Sequence, residues 1–129
     1  MKAVVINEYG NNDVVNLVEK EIPQPATHEI LVKVHTAGVN PVDWRIRSGA
    51  GARFGLTLPI LLGSEIAGTI EKLGDSVTRF NVGEAVYGKI RTGGFAEYAI
   101  AHEDDLAYKP QQLDFIQAAA IPLAALTAW

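Results

Sequence analysis

The sequence predicts a mainly β fold, a partly open antiparallel β-barrel with short helices. Three observations carry this. Short runs rich in Val, Ile, Tyr and Phe recur about every ten residues. Turn signals built from Gly, Asn, Asp and Pro separate them. Only residues 111–129 break the pattern, with a run of helix formers.

Lys2 to Ile6 reads as a first strand. Gly10-Asn11-Asn12-Asp13 is a turn signal, and Val14 to Ile22 reads as the hairpin partner. Pro23-Gln24-Pro25 ends it, because proline donates nothing to a ladder. Glu29 to Ala37 is the clearest strand, with Ile30, Val32 and Val34 on one face and Leu31, Lys33 and His35 on the other. Pro41 to Ser48 has room for a short helical turn, and Gly49 to Gly55 reads as loop, closed by Pro59. Glu65 to Leu73 is another strand, and Gly68 inside it suits a bulge or a bend. Val82 to Tyr87 and Phe95 to Ile100 read as strands, with a Gly93-Gly94 turn before the second, and Leu106 to Tyr108 as a short last one.

The C-terminal residues follow helix rules. Asp114 is an N-cap and Gln117 completes a capping-box pair. Phe115 to Ala120 form one helix, and Pro122 fits the first turn of a second. Leu123 to Trp129 are apolar on every side except at Thr127, a pattern that expects burial all round. The helix has neither a glycine stop nor a charged last turn, so the chain is expected to continue.

Composition narrows the function classes. The chain has 129 residues, 48% apolar and 20% charged, with a formal net charge of -4. That suits one globular domain burying roughly two-thirds of its unfolded surface. Without a basic run, nucleic acid and anionic membrane are disfavoured as partners. Cysteine is absent, which excludes disulfides and thiolate zinc sites. No run approaches the ~20 apolar residues of a membrane span. Met1-Lys2-Ala3 leads directly into a strand with no signal-peptide pattern, so cytoplasm is the expected location.

The stretch from Ala37 to Gly49 is the main candidate site. A strand runs into a sharp turn that sets Asn40, Asp43, Trp44, Arg45 and Arg47 close together, which is how rigid scaffolds present functional loops. Gly49, Gly51 and Gly55 approach a dinucleotide fingerprint, but no strand precedes them and no helix follows, so the motif is rejected. His28, His35 and His102 lack metal-ligand spacing and read as surface residues.

Six segments occur in register: Glu29–Val34, Ala37–Asp43, Leu62–Gly68, Val82–Gly88, Gly94–Tyr98 and Ala118–Trp129. Together they resemble the N-terminal, GroES-like catalytic domain of medium-chain dehydrogenases/reductases, in the zinc-independent quinone oxidoreductase branch. The resemblance covers nearly the whole chain. It implies residues 1–110 as the GroES-like domain and 111–129 as a helical segment leading to a Rossmann domain that this chain lacks. The implied function is NADPH-dependent hydride transfer to quinones or α,β-unsaturated carbonyls, in a protein that is homodimeric when full length. The isolated chain is then expected to be inactive.

Zinc-dependent members of the family carry Cys where this chain has Asn40, and Gly-His-Glu where it has Gly63-Ser64-Glu65. The resemblance therefore implies no metal. It places Asn40, Pro41, Val42, Asp43 and Trp44 on the wall of the cofactor cleft, and Thr127 at the nicotinamide. Each has a plainer reading: Asn40 and Asp43 suit any turn, and Thr127 can bond back to its own helix. Ser64 and Glu65 are the weak catalytic candidates, Glu65 serving either to support the cleft or to relay a proton. Many reductases of the group have a tyrosine in the loop after Ser-Gly, and the loop from Ser48 to Phe54 has none. That departure weakens an enoyl-thioester reductase reading. The competing class is a stand-alone GroES-like binding or oligomerisation module; a zinc alcohol dehydrogenase fits less well.

Overall fold

The computed structural model describes residues 1–129. Eight strands and three helices follow in order: β1 (Lys2–Ile6), β2 (Val15–Glu19), β3 (Glu29–Ala37), α1 (Pro41–Ser48), β4 (Ile60–Leu61), β5 (Glu65–Leu73), β6 (Ala85–Lys89), β7 (Tyr98–His102), β8 (Ala107–Tyr108), α2 (Phe115–Ala119) and α3 (Pro122–Ala128). All strand pairs are antiparallel, in a sheet of order β2-β1-β4 and a larger one of order β7-β3-β5-β6-β8. The outer strands β7 and β8 do not pair with each other, so the barrel is partly open. The sheets meet at an Ala3–Ala96 bridge, where Val4 donates to the Phe95 carbonyl at 2.8 Å.

The largest core cluster lies inside the five-stranded sheet, around Ile30, Val32, Ile66, Ile70 and Val86. A second, of Ile6, Ile46, Ile60 and Leu62, seats α1 on the small sheet. A third joins Ala67 of β5 to Ala118 and Ala119 of α2, small residues that let the helix lie close to the strand. The β3–β5 ladder shifts register between Leu31 and Val32 and again between Val34 and Thr36. Gly68 sits at that irregularity, where an added Cβ would overlap the Lys33 carbonyl.

Several boundaries differ from the sequence expectation, each for a visible reason. β2 stops at Glu19, not Ile22, because β1 begins at Lys2, the partner of Glu19. β6 starts at Ala85, not Val82, because Asn81 to Glu84 is closed as a turn through Glu84 N–H to the Asn81 carbonyl, with Gly83 at φ 89°. β7 starts at Tyr98, not Phe95, because Phe95 spends its backbone on the small sheet, donating to Leu62 and accepting from Val4. Ala50–Phe54 is a 3-10 turn rather than open loop, bracketed by Gly49 at φ 136° and Gly55 at φ 70°. The capping box at Asp114 and Gln117 forms as expected, at 2.7 and 3.1 Å. In α3 only Pro122 is buried; Leu126 and Trp129 are exposed, where the apolar pattern expects burial.

Candidate functional site

The end of β3 delivers the chain into α1 past β5. The Gly38 amide donates to the Glu65 carbonyl at 3.0 Å. A Cβ at Gly38 would overlap the Glu65 carboxylate and the Ala119 carbonyl, so only glycine allows this approach. Asn40 then takes the N-cap position of α1 in extended geometry, with Pro41 at the helix start. Its backbone N–H donates to Asp43 Oδ2 at 2.7 Å, and its side-chain Nδ2 donates to Glu65 Oε2 at 2.8 Å.

Glu65 is 2% exposed and has the hydrogen-bond partners that burial of a carboxylate demands. Its second oxygen, Oε1, accepts from the Leu123 backbone N–H at 2.8 Å, in the first turn of α3. One carboxylate thus ties the starts of α1 and α3 to β5. Asp43 is also buried. Burial raises its carboxyl above the ordinary 3.8, and the nearby Glu65 carboxylate adds to the rise, against the Asn40 and Gly63 backbone amides, which lower it. Asp43 Oδ1 accepts no hydrogen bond within the chain.

Between α1, β6 and α3 opens a pocket of about 290 Å³. Val42, Ile46, Phe54 and Leu123 form its apolar walls. Ser64, Thr127, Lys89 and Arg91 complete its lining. The Thr127 hydroxyl donates to the Leu123 carbonyl at 2.6 Å, the helix back-bond open to any threonine. Of the predicted residues, Val42, Ser64 and Thr127 therefore meet in one cavity. Asn40, Asp43 and Trp44 line a separate recess together with Arg47 and Phe95. Pro41 is exposed at the head of α1.

Lys89, Arg91 and Phe54 are pocket residues that the sequence reading missed. With a strand expected to stop at Tyr87, nothing marked Lys89 as the strand end opposite Glu65. His28 and His102, 74 positions apart, are brought to 6.3 Å between ring centroids by the Glu29–His102 register. His28 Nδ1 pairs with Glu103 at 2.8 Å. His35 stacks on Phe115 at 4.1 Å and helps seat α2.

Comparison with known proteins places this geometry. The alcohol dehydrogenase GroES-like domain model matches residues 26–111. Human quinone oxidoreductase is 42% identical over 131 residues, covering all of this chain and 40% of that protein. The quinone oxidoreductase of Coxiella burnetii superposes with a TM-score of 0.92 at 36% identity, over 99% of this chain and 43% of that one. The Escherichia coli quinone oxidoreductase solved in complex with NADPH superposes at 0.91 with 31% identity, over 98% and 39%. The chain thus spans about 40% of the length of the curated relatives it matches. By its fold, its sequence and these relationships, the chain belongs to the alcohol dehydrogenase GroES-like domain family, as a quinone oxidoreductase-like member of the medium-chain dehydrogenase/reductase superfamily.

Proposed function

We propose that this chain is the catalytic GroES-like part of an NADPH-dependent, zinc-independent oxidoreductase that passes hydride to quinones or α,β-unsaturated carbonyls. The observation that carries the proposal is the pocket between α1, β6 and α3, with apolar walls and Ser64 and Thr127 in its lining. Apolar walls with a few polar groups are what an acceptor ring with one or two carbonyls requires. NADPH supplies the hydride, and the protein supplies placement and polarity. Ser64 is buried and its hydroxyl makes no hydrogen bond within the chain, which suits it to donate to the acceptor's carbonyl oxygen as negative charge gathers there. Val42 and Thr127 border the same cavity and would meet the nicotinamide end. Asn40, Asp43 and Trp44, in their separate recess, and the exposed Pro41 would meet the cofactor from outside this cavity. Glu65 acts through Asn40 and Leu123 as the group that holds the start of α1 to α3.

The donor set supports the zinc-independent reading. Where a metal would sit, the chain offers an amide, a hydroxyl and a carboxylate whose oxygens both already accept N–H groups. Residues 111–129 connect, in this proposal, to a cofactor-binding Rossmann domain, and the full-length protein is a cytoplasmic homodimer. No helix is long and apolar enough to cross a membrane. The test is NADPH oxidation by the full-length protein across quinones, enones and aldehydes, with metal analysis alongside. Turnover of quinones or enones without stoichiometric zinc is expected. Absence of activity with every acceptor would overturn the proposal.

A further inference from the structure

Resting on the reductase reading, we propose that the pocket selects acceptors whose apolar ring carries an anionic substituent, a sulfonate or carboxylate, and that Lys89 and Arg91 are the residues that recognise it. Both cations line a pocket to which no acidic side chain contributes. Neither forms an ion pair; all the ion pairs of the chain lie elsewhere. Lys89 faces Glu65 directly across the β5–β6 ladder, where a lysine would ordinarily find its counterion. Yet both Glu65 oxygens are committed to Asn40 and Leu123. Lys89 Nζ comes within 4 Å of neither oxygen, so the ammonium keeps its three donors.

Arg91 differs in being held in place. Its guanidinium donates to the carbonyl of Gly55, the residue that ends the Ala50–Phe54 turn beside Phe54. One of its five N–H groups is used, and the rest form an oriented fork of the kind that recognises sulfonate or carboxylate oxygens. Asp104 and Asp105 share with Lys89 a second recess beyond α3, but neither carboxylate comes within 4 Å of the ammonium, and Asp104 lies 3.8 Å from Arg79 instead. In a chain of net charge -4, two uncompensated cations on one apolar pocket make a local positive field. Both cationic side chains are exposed, so beside a neutral ring they keep only water and, for Arg91, the Gly55 carbonyl as partners. An anionic ring uses both features.

The test compares naphthoquinone with its sulfonated analogue as acceptors for the full-length protein, in steady-state turnover and in calorimetric binding. Taking variant-to-wild-type ratios removes the difference in intrinsic reactivity between the two acceptors. We expect Lys89→Gln and Arg91→Gln each to weaken the preference for the sulfonated acceptor, in KM and in Kd, by about fivefold, and the double variant by about twenty-five-fold. Lys72→Gln, a change at an exposed lysine bonded to Gln24, leaves the preference as in the wild type. Added salt should reduce the wild-type preference and leave the double variant nearly insensitive. An unchanged preference in the double variant overturns the inference, as does equal loss with both acceptors. A defect confined to the KM for NADPH also overturns it, because the cations would then serve the cofactor's phosphates. Charge-dependent binding without turnover of either acceptor would sustain the anion site and remove the reductase reading. Turnover that is blind to both cations would do the reverse.

Discussion

Replacing Asn40 with alanine tests whether the buried carboxylate holds the site together. The Asn40 Nδ2–Glu65 Oε2 bond is 2.8 Å long, and Glu65 is 2% exposed. Asn40→Ala deletes the donor and leaves Oε2 charged, buried and without its side-chain partner. Hydrogen bonds to charged groups contribute about 1.5–3 kcal/mol, and orphaning the charged member puts the cost toward the upper end. The backbone N–H of residue 40 still reaches Asp43 Oδ2, so the start of α1 is retained and any added capping loss is below about 1 kcal/mol. We therefore expect a destabilisation of about 2–3 kcal/mol. With a urea m-value of roughly 2 kcal/mol/M, the unfolding midpoint falls by about 1–1.5 M. Equilibrium unfolding followed by far-UV circular dichroism and by the fluorescence of Trp44 and Trp129 reads this, and coincidence of the two curves checks two-state behaviour. Asn40→Asp sets a second carboxylate against the first and is expected to cost more than alanine at neutral pH. A loss below about 0.5 kcal/mol for alanine, or an aspartate variant more stable than alanine, would refute the reasoning.

Two further outcomes follow from the same geometry. The Asp43 carboxyl is raised above 3.8 in the folded chain, chiefly by burial, so the folded state holds its proton more tightly than the unfolded state does. The stability this provides is complete below the unfolded value and is lost as pH rises through the folded one. Asp43→Asn should therefore gain on the wild type as pH rises from about 4 toward neutrality, as read by urea midpoints across pH; a difference that is flat with pH, or that runs the other way, counts against a raised Asp43. Gly68→Ala drives a Cβ into the Lys33 carbonyl of the central strand pair. It should cost about 3 kcal/mol or leave the chain unfolded, and a variant with the wild-type midpoint would show that β3 and β5 can separate without penalty.

Local chemistry explains which parts of the fold were legible in the sequence. β3 is bounded by turn residues, so its ends at Glu29 and Ala37 could be read directly, but its faces could not: Leu31, expected beside Lys33 and His35, is buried with Ile30 and Val32 where the register shifts between Leu31 and Val32. The capping box at Asp114, the proline starts of α1 and α3, and the glycine at the β3–β5 irregularity are short-range rules of the same kind. The ends of β2, β6 and β7 were misplaced because a strand ends where its partner ends. Val82 and Phe95 have strand-forming side chains, but the backbone of one closes a turn and that of the other bonds to a different sheet.

The same division runs through the site. The sequence by itself determined the barrel class, the strand-to-helix turn at Asn40, the amide and hydroxyl at Asn40 and Ser64, and the family resemblance those residues carry. It also determined that Glu65, if buried, would need partners. Only the tertiary structure decided who those partners are, because Asn40 and Leu123 stand 25 residues before and 58 residues after Glu65 and meet it only once β5 lies between α1 and α3. The structure likewise parted Val42 from Asn40, Asp43 and Trp44, since successive residues of one helix face different recesses. It also brought Lys89 and Arg91 to a pocket that no carboxylate lines. Residue type and spacing record what a group can do; the register of β5 against β6 decides which groups remain free to do it.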